Sequence, residues 1–390
     1  MSATERCTAL RLGFIGGALN SAVGYAHFAA ATMDNSWSID AGCFSLDQEA
    51  NRETATAYGV LPERVHEDWR AMLSREREDL DAVVVLTPTP SHFEIVEGCL
   101  AAGIPVICEK ALVARSEEAA KLRSLRQDRG GFLAVTYNYT GYPMLRELRD
   151  VIRRGELGKV LHFQAEMPQE GFIRTDPRGN KPSPQRWRLA DGRVPTIHLD
   201  LAVHLHQIVH YLIGATPLET IADQGSYGWF SQVVDNVTAL VRYSDGIQGQ
   251  MWFSKSALGP RNGLRIRVFG SRASAEWYQM NPEELVVCTA DGRRETRDRA
   301  ALAPVAATRR YNRFKAGHPA GFIEAFANLY VDLADCVRQY REGGSWHSPE
   351  VFGVELAQEG LLLLEAMRDS VDRKSWQAVG RSVALDGKVG

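Results

Sequence analysis

The sequence has no apolar run that approaches ~18 residues, the length a helix needs to cross a bilayer, so no membrane-spanning helix is expected. Blocks of like charge are also missing. The 45 Lys and Arg and 48 Asp and Glu are interspersed and leave a formal net charge of −3. That balance offers no basic field to nucleic acid or to an acidic membrane surface. Cysteine is sparse: Cys7, Cys43, Cys99, Cys108, Cys288 and Cys336 are scattered, and no two have the spacing of a zinc or dithiol redox motif. Cys43 and Cys108 fall in strand-like runs, where a thiol serves as a small apolar filler. The N-terminus lacks a basic stretch followed by a long apolar one, so a cytoplasmic protein with reduced thiols is expected.

What is present is an ordinary globular balance, 45% hydrophobic and 24% charged, over 390 residues. That length suits two domains better than one core. In the first third, short apolar runs alternate with helical patterns. Ala9 to Ile15, Ile39 to Phe44, Ala82 to Leu86, Pro105 to Cys108 and Phe132 to Val135 read as strands. Helical patterns fall between them at Ala22 to Met33, Phe93 to Ala102 and Glu117 to Arg129. This spacing predicts βαβ units, a parallel sheet and a doubly wound dinucleotide-binding domain over residues 1–137.

Beyond residue 137 the texture changes. Val160 to Glu166, Val237 to Tyr243, Ile247 to Ser254, Leu264 to Phe269 and Leu285 to Thr289 read as strands joined across turns such as Ser244-Asp245-Gly246. Leu264 to Val268 alternates strictly, so one face of that strand is polar. Residues 138–390 are therefore expected to form an α+β domain with a large, mostly antiparallel sheet open on one side. Two late helices, Pro319 to Tyr340 and Pro349 to Ser370, complete it. Between these elements, Gly171 to Arg193 is rich in Pro, Gly, Arg and Asp without periodicity, and a loop of that length is a functional candidate.

The first strand runs into Gly13-Phe-Ile-Gly16-Gly17-Ala-Leu-Asn-Ser21-Ala-Val-Gly24, and a helix follows. Glycines there permit a tight turn and close approach of backbone to a pyrophosphate, which the helix N-terminus attracts. The run is two residues longer than G-x-G-x-x-G, and Ala18 stands where a middle glycine is expected. Gly16, Gly17, Ala18, Asn20 and Ser21 are the expected phosphate contacts. The second strand ends at Phe44-Ser45-Leu46-Asp47. Ser45 does not exclude a 2′-phosphate, and Arg52 is placed to reach one. Asp47 either takes ribose hydroxyls or caps the next helix. NAD is the expected cofactor, with NADP as the alternative.

Two further features carry chemistry. Glu109-Lys110 follows the strand Pro105 to Cys108, and ligands of open α/β sheets bind beyond the carboxyl ends of the strands. In Asp200-Leu-Ala-Val-His204, helical spacing puts Asp200, His204 and Gln207 within about 60° of one another. His206 and His210 fall on another side, so the His-rich stretch is not read as a metal site. Beside a dinucleotide loop, these residues compose an alcohol-oxidising set.

On these residues, together with Thr87-Pro88-Thr-Pro-Ser-His92, Tyr137-Asn138-Tyr-Thr-Gly-Tyr142-Pro143 and Gly317-His318-Pro-Ala-Gly-Phe-Ile-Glu-Ala-Phe326, nearly the whole chain resembles the Gfo/Idh/MocA family. The resemblance is to the branch of inositol, levoglucosan and related sugar dehydrogenases. It implies that Thr87, Pro88, His92, Glu109 and Lys110 help hold the cofactor. It further implies that Lys110 is the family's lysine, Asp200 its helix aspartate and His204 its catalytic histidine. The family usually has Pro after the lysine, where this chain has Ala111, and often Gly where it has Ala202 and Asp or His where it has Gln207.

The function expected is hydride transfer between nicotinamide and a hydroxyl-bearing carbon of a sugar, sugar derivative or cyclitol. His204 is the expected general base, Lys110 polarises the oxygen, and Asp200 orients a hydroxyl or the base. Tyr137, Asn138, Tyr142, Arg186, Trp187, Arg188 and His318 are the expected substrate contacts, because aromatic faces and multidentate donors suit polyhydroxylated rings. The arginines leave phosphorylated, carboxylated or nucleotide-linked sugars open. Rival readings are a redox-neutral enzyme that retains NAD and works through a transient ketone, by epimerisation or glycoside cleavage, and a non-catalytic dinucleotide sensor. The resemblance also implies a homodimer or homotetramer formed through the C-terminal sheet.

Overall fold

A computed structural model of the chain describes residues 8–380, which leaves Cys7 outside the described residues. The backbone forms two compact units that are not contiguous in sequence. One gathers the chain up to Val113 with Glu117–Gly141 and Phe322–Val354; the other gathers Ala114–Ser116, Tyr142–Gly321 and the chain from Glu355.

The first unit is built on five parallel strands, β1 (Leu10–Gly16), β2 (Trp37–Cys43), β3 (Ala82–Leu86), β4 (Val106–Glu109) and β5 (Leu133–Thr136). Their spatial order is 2-1-3-4-5, and the two-residue strand Phe352–Gly353 pairs antiparallel with β5 at the edge. β3 reads AVVVL and is buried at every position, as a central strand covered on both faces must be. Helices α1 (Gly24–Met33), α2 (Gln48–Tyr58), α3 (Trp69–Glu76), α4 (His92–Ala101) and α5 (Ser116–Arg129) alternate with the strands. Their ends follow local chemistry: Asp47 caps α2 through Ala50 N–H at 2.9 Å, and Asp68 caps α3 through Ala71 N–H at 2.8 Å. Gly59, at φ +73°, closes α2 in the left-handed region.

The second unit carries the expected open sheet. Its strands are β6 (Val160–Pro168), β7 (Pro217–Gly225), β8 (Asn236–Tyr243), β9 (Gln248–Ser254), β10 (Arg265–Gly270), β11 (Ala273–Tyr278), β12 (Asn281–Thr289) and β13 (Arg294–Arg297). They run in the order 13-12-11-10-6-9-8-7, with Gln377–Ala378 at the β7 edge, and among the described residues of this sheet only the β6–β9 pair is parallel. In β8, buried Val237, Ala239, Val241 and Tyr243 alternate with exposed Thr238, Leu240 and Arg242. One face thus packs and the other stays open. Helices α6 (Pro143–Arg153) and α7 (Val203–Ile213) pack on the buried face, against β11 and β12 and against β6.

Three of these eight strands escape the sequence reading, as do the two-residue strands Phe352–Gly353 and Gln377–Ala378. β13 is Arg-Glu-Thr-Arg, an edge strand with no apolar residue to mark it. β7 is mostly half-exposed and shows no strong period, whereas β11 alternates buried and half-buried positions but opens on Ala-Ser-Ala, residues of low strand propensity.

Two long helices follow, α8 (Phe322–Gly343) and α9 (Val354–Arg373). α8 belongs to the first unit, where Phe326, Leu329, Tyr330 and Leu333 enter the same core as Phe14, Ala30 and Trp37. Trp37 Nε1 donates to the Tyr330 carbonyl at 2.8 Å, which fixes the register of α8 on the sheet. Leu333 is fully buried in that core. Leu333→Ala should therefore cost ~2–5 kcal/mol, read as a lower denaturation midpoint in urea with an unchanged slope.

Candidate active site

β1 ends where the strand order reverses between β1 and β3, the place where open α/β sheets bind ligands. Gly16 and Gly17 leave the strand at φ +84° and +79°, a region that L side chains rarely adopt. A Cβ on Gly16 would stand 2.9 Å from Thr87 N, and one on Gly24 only 2.1 Å from the Gly17 carbonyl oxygen. The turn closes over backbone alone. Ser21 Oγ accepts from Gly24 N–H at 2.8 Å, and Val23, the cap position of α1, offers no side-chain acceptor. A helix start of this kind, with glycine on both sides, fits a pyrophosphate. Ala18 is buried and its methyl joins the apolar core, which explains how alanine replaces the expected glycine. Asn20 is exposed on the same loop and Ser21 is half-buried.

Beyond β2, Ser45 Oγ accepts from Asp47 N–H at 3.1 Å while Asp47 caps α2. Of the two roles open to Asp47, the cap is formed. Arg52 is exposed on α2 and makes no ion pair among the described residues.

Past β3, Thr87 is half-buried and Pro88 exposed. His92 begins α4 with its ring buried. Its Nε2 lies 2.7 Å from the Thr87 carbonyl oxygen, and its Nδ1 lies 2.9 Å from that of Ala111. Burial holds this imidazole below its ordinary pKa against the pull of those carbonyls. The ring braces the end of β3 against the segment that follows Lys110. Lys110 is half-buried, and the Lys110–Ala111 peptide bond is cis.

Glu109, beside Lys110, turns inward. Its carboxylate meets His27 Nε2 of α1 at 3.2 Å and the Thr136 hydroxyl of β5 at 2.5 Å, and the Tyr330 hydroxyl of α8 meets His27 Nδ1 at 2.8 Å. All four side chains are buried. Burial alone would raise the Glu109 pKa; the hydrogen bond and charge of His27, the charge of Lys110 and the Thr136 hydroxyl outweigh it and bring the value to about 2. An ionised carboxylate is thus held directly behind Lys110. His27 and Tyr330 carry no motif that sequence reasoning could have used, being one histidine and one tyrosine on helices about 300 residues apart.

In the second unit, Asp200 does not lie on a regular α-helix. His198–Ala202 forms a π turn that runs into α7, so the expected single face through Asp200, His204 and Gln207 is broken between Asp200 and His204. His204 and Gln207 are both buried on α7. Asp200 Oδ2 accepts from Arg188 of the long loop and from Lys255, the residue after β9. Arg188 and Asp200 were expected in separate roles, and the structure pairs them. Lys255 was missed, because a lysine at the end of an alternating strand reads as solvated; its side chain is 8% exposed.

The other expected substrate residues scatter. Tyr137 is buried at the end of β5, and burial pushes its phenol up; Asn138 is buried in the next turn. Tyr142 belongs to the second unit, packs on Trp277 and receives Gln279 Nε2 at 3.0 Å on its hydroxyl. Arg186 is exposed, Trp187 is half-buried under the Arg188 guanidinium at 4.5 Å, and His318 is exposed with its ring against Phe314. His206 and His210 both face Glu359, at 3.3 and 3.5 Å.

Residues 10–137 match the family described as "Oxidoreductase family, NAD-binding Rossmann fold", and residues 145–276 match "GFO/IDH/MocA C-terminal domain". An uncharacterised oxidoreductase of Bacillus subtilis strain 168, YfiI, is 32% identical over 83% of this chain and 84% of its own. The levoglucosan dehydrogenase of Pseudarthrobacter phenanthrenivorans is 25% identical over 84% of this chain and 86% of its own. Among solved structures, an inositol dehydrogenase homologue from Azotobacter vinelandii, complexed with NADH and myo-inositol, superposes with a TM-score of 0.86 at 28% identity, covering 95% of this chain and 98% of that one. The first unit is an NAD-binding Rossmann domain.

Two outcomes follow from this geometry. Gly24→Ala forces a methyl against the Gly17 carbonyl, and isothermal titration should show NAD affinity reduced by about tenfold or more. Glu109 has a folded pKa of about 2, below its ordinary 4.5, so its contribution to stability is present above pH 4.5 and is lost as pH falls towards 2. Thermal melts across that window should therefore be flatter for Glu109→Gln than for the wild type; parallel curves would refute the assignment.

Proposed function

The chain belongs to the Gfo/Idh/MocA family of oxidoreductases, and from that premise we propose that it is an NAD-dependent dehydrogenase acting on a hydroxyl-bearing carbon of a sugar, sugar derivative or cyclitol. The observation that carries this reading is the segment from the π turn into α7, where a carboxylate held by two cations is followed by a buried imidazole. The relatives named as levoglucosan and inositol dehydrogenases support the substrate class.

NAD, when bound, supplies the acceptor for the hydride that leaves the carbon. Gly16, Gly17, Ala18, Asn20 and Ser21 would hold its phosphates at the start of α1, with Ser45, Asp47 or Arg52 towards the ribose and Thr87 and Pro88 beyond β3. His92 acts on this site through the backbone it braces. His204 takes the hydroxyl proton, which balances the hydride leaving the carbon, since an imidazole accepts a proton near neutral pH. Lys110 donates to the same oxygen and stabilises developing negative charge. Asp200 orients a neighbouring hydroxyl. Tyr137, Asn138, Tyr142, Arg186, Trp187, Arg188 and His318 remain the proposed contributors to substrate binding, Tyr142 by packing.

We further propose a cytoplasmic homodimer or homotetramer formed through the open face of the second sheet. Gln164, Glu166, Thr238, Gln250, Trp252 and Arg267 line a shallow cavity of about 370 Å³ there, with Arg267 paired to Glu166.

NAD reduction at alkaline pH, followed with inositols, aldoses and anhydrosugars, should reveal turnover of at least one class. With that substrate, Lys110→Ala and His204→Ala should each lower kcat by about 10²-fold or more. Near-normal turnover in both variants would remove them from the chemistry.

A further inference from the structure

The loop from Gly171 to Arg193 carries six basic residues, Arg174, Arg178, Lys181, Arg186, Arg188 and Arg193, against two acidic ones, in a chain whose formal net charge is −3. Both acids are occupied locally. Asp176 accepts from the backbone N–H of Arg178 and Asn180, and Asp191 accepts from those of Thr196 and Val234. Arg174 pairs with Glu170 and Arg193 with Asp369, so these two cations already have carboxylate partners. Arg188 turns inward to Asp200, and Arg186, two residues before it, is exposed without an ion pair among the described residues.

Lys255 meets the same Asp200 oxygen as Arg188, from a residue 67 positions further along the chain. It is 7% exposed, and its ammonium lies 4.9 Å from the centre of the buried Phe172 ring. Its backbone is tied at both ends, N–H to the Asp235 carbonyl at 2.7 Å and carbonyl to Phe172 N–H at 2.8 Å. The fold therefore fixes this cation in place and leaves it little freedom to retreat to water. Two cations brought onto one carboxylate oxygen repel each other. Guanidinium and ammonium are also donors only, so a substrate group shared between them must be an acceptor, and an anion relieves the repulsion best.

We infer that the substrate is an anionic polyol, a sugar or cyclitol derivative bearing a carboxylate or phosphate, and that Arg188 and Lys255 take its acid group beside Asp200, with Arg186 at the outer edge. This rests on the dehydrogenase reading above and narrows it.

The test compares matched substrates with the full chain and NAD: gluconate, glucuronate and glucose 6-phosphate against glucose and myo-inositol. The acidic series should exceed the neutral one in kcat/KM by about tenfold or more, and the ratio should shrink as ionic strength rises. The carboxylate and phosphate arms identify the acid group. Arg188→Gln and Lys255→Met should each bring the ratio towards one, mainly through a higher KM for the acids, and Arg188→Lys should restore part of it. Arg188 sits on an exposed loop, so its variants keep the test valid if Lys255→Met does not fold. Equal or better turnover of the neutral series, or an unchanged ratio in both Arg188→Gln and Lys255→Met, would overturn the inference while leaving the dehydrogenase reading intact. No turnover with either series would overturn that reading and this inference together.

Discussion

A carboxylate buried at the end of a central strand has to find partners, and Glu109 finds them on two other elements, one of which leads on to a third. His27 reaches it from α1, Thr136 from β5, and Tyr330 extends the chain to α8. An unpartnered charge at this depth would be expensive, so the network makes the positions of those elements mutually dependent. It lies where β4 delivers Lys110, and it keeps a negative charge beside that lysine. The same constraint gives α8 its place, since the helix contributes Tyr330 both to this chain and, through its backbone carbonyl, to Trp37. The return of residues 322–354 to the first unit follows from apolar packing and from this polar tie together.

The second unit solves a related problem with opposite charges. Asp200 stands in a π turn, where the backbone departs from the regular helix, and two cations hold it. One cation comes from a fixed strand end and the other from a long exposed loop. His204 follows, buried, on regular helix. In each unit an acidic side chain is set beside a lysine: Glu109 is followed directly by Lys110, and Asp200 pairs with Lys255.

Much of this was legible beforehand. The strands of the first unit are short and mostly apolar, and β3, the one continuous aliphatic run among them, falls at the residues expected because all five of its positions are buried. The glycine turn was recognisable despite Ala18, since its position between a strand and a helix carries more information than its spacing. The open face of the second sheet followed from the alternation in β10. What failed to show were elements with no apolar period of their own, such as β13, and the π turn, which differs from α-helix only in how the backbone closes. Lys255, His27 and Tyr330 were invisible for a different reason: each has meaning only through a partner far away in sequence.

Local chemistry by itself determined the parallel sheet, the helix caps, the left-handed glycines and the presence of a carboxylate, a lysine and a histidine at the ends of the right elements. These depend on hydrophobic period and backbone sterics, which neighbouring residues settle among themselves. Only the tertiary structure decided which charges meet. It paired Arg188 with Asp200 across the long loop and turned Glu109 inward to a histidine on α1. It also brought α8 back against a sheet that the chain had left some 180 residues earlier. Those choices depend on burial, because a charge removed from water must be matched by whichever partner the fold brings within reach.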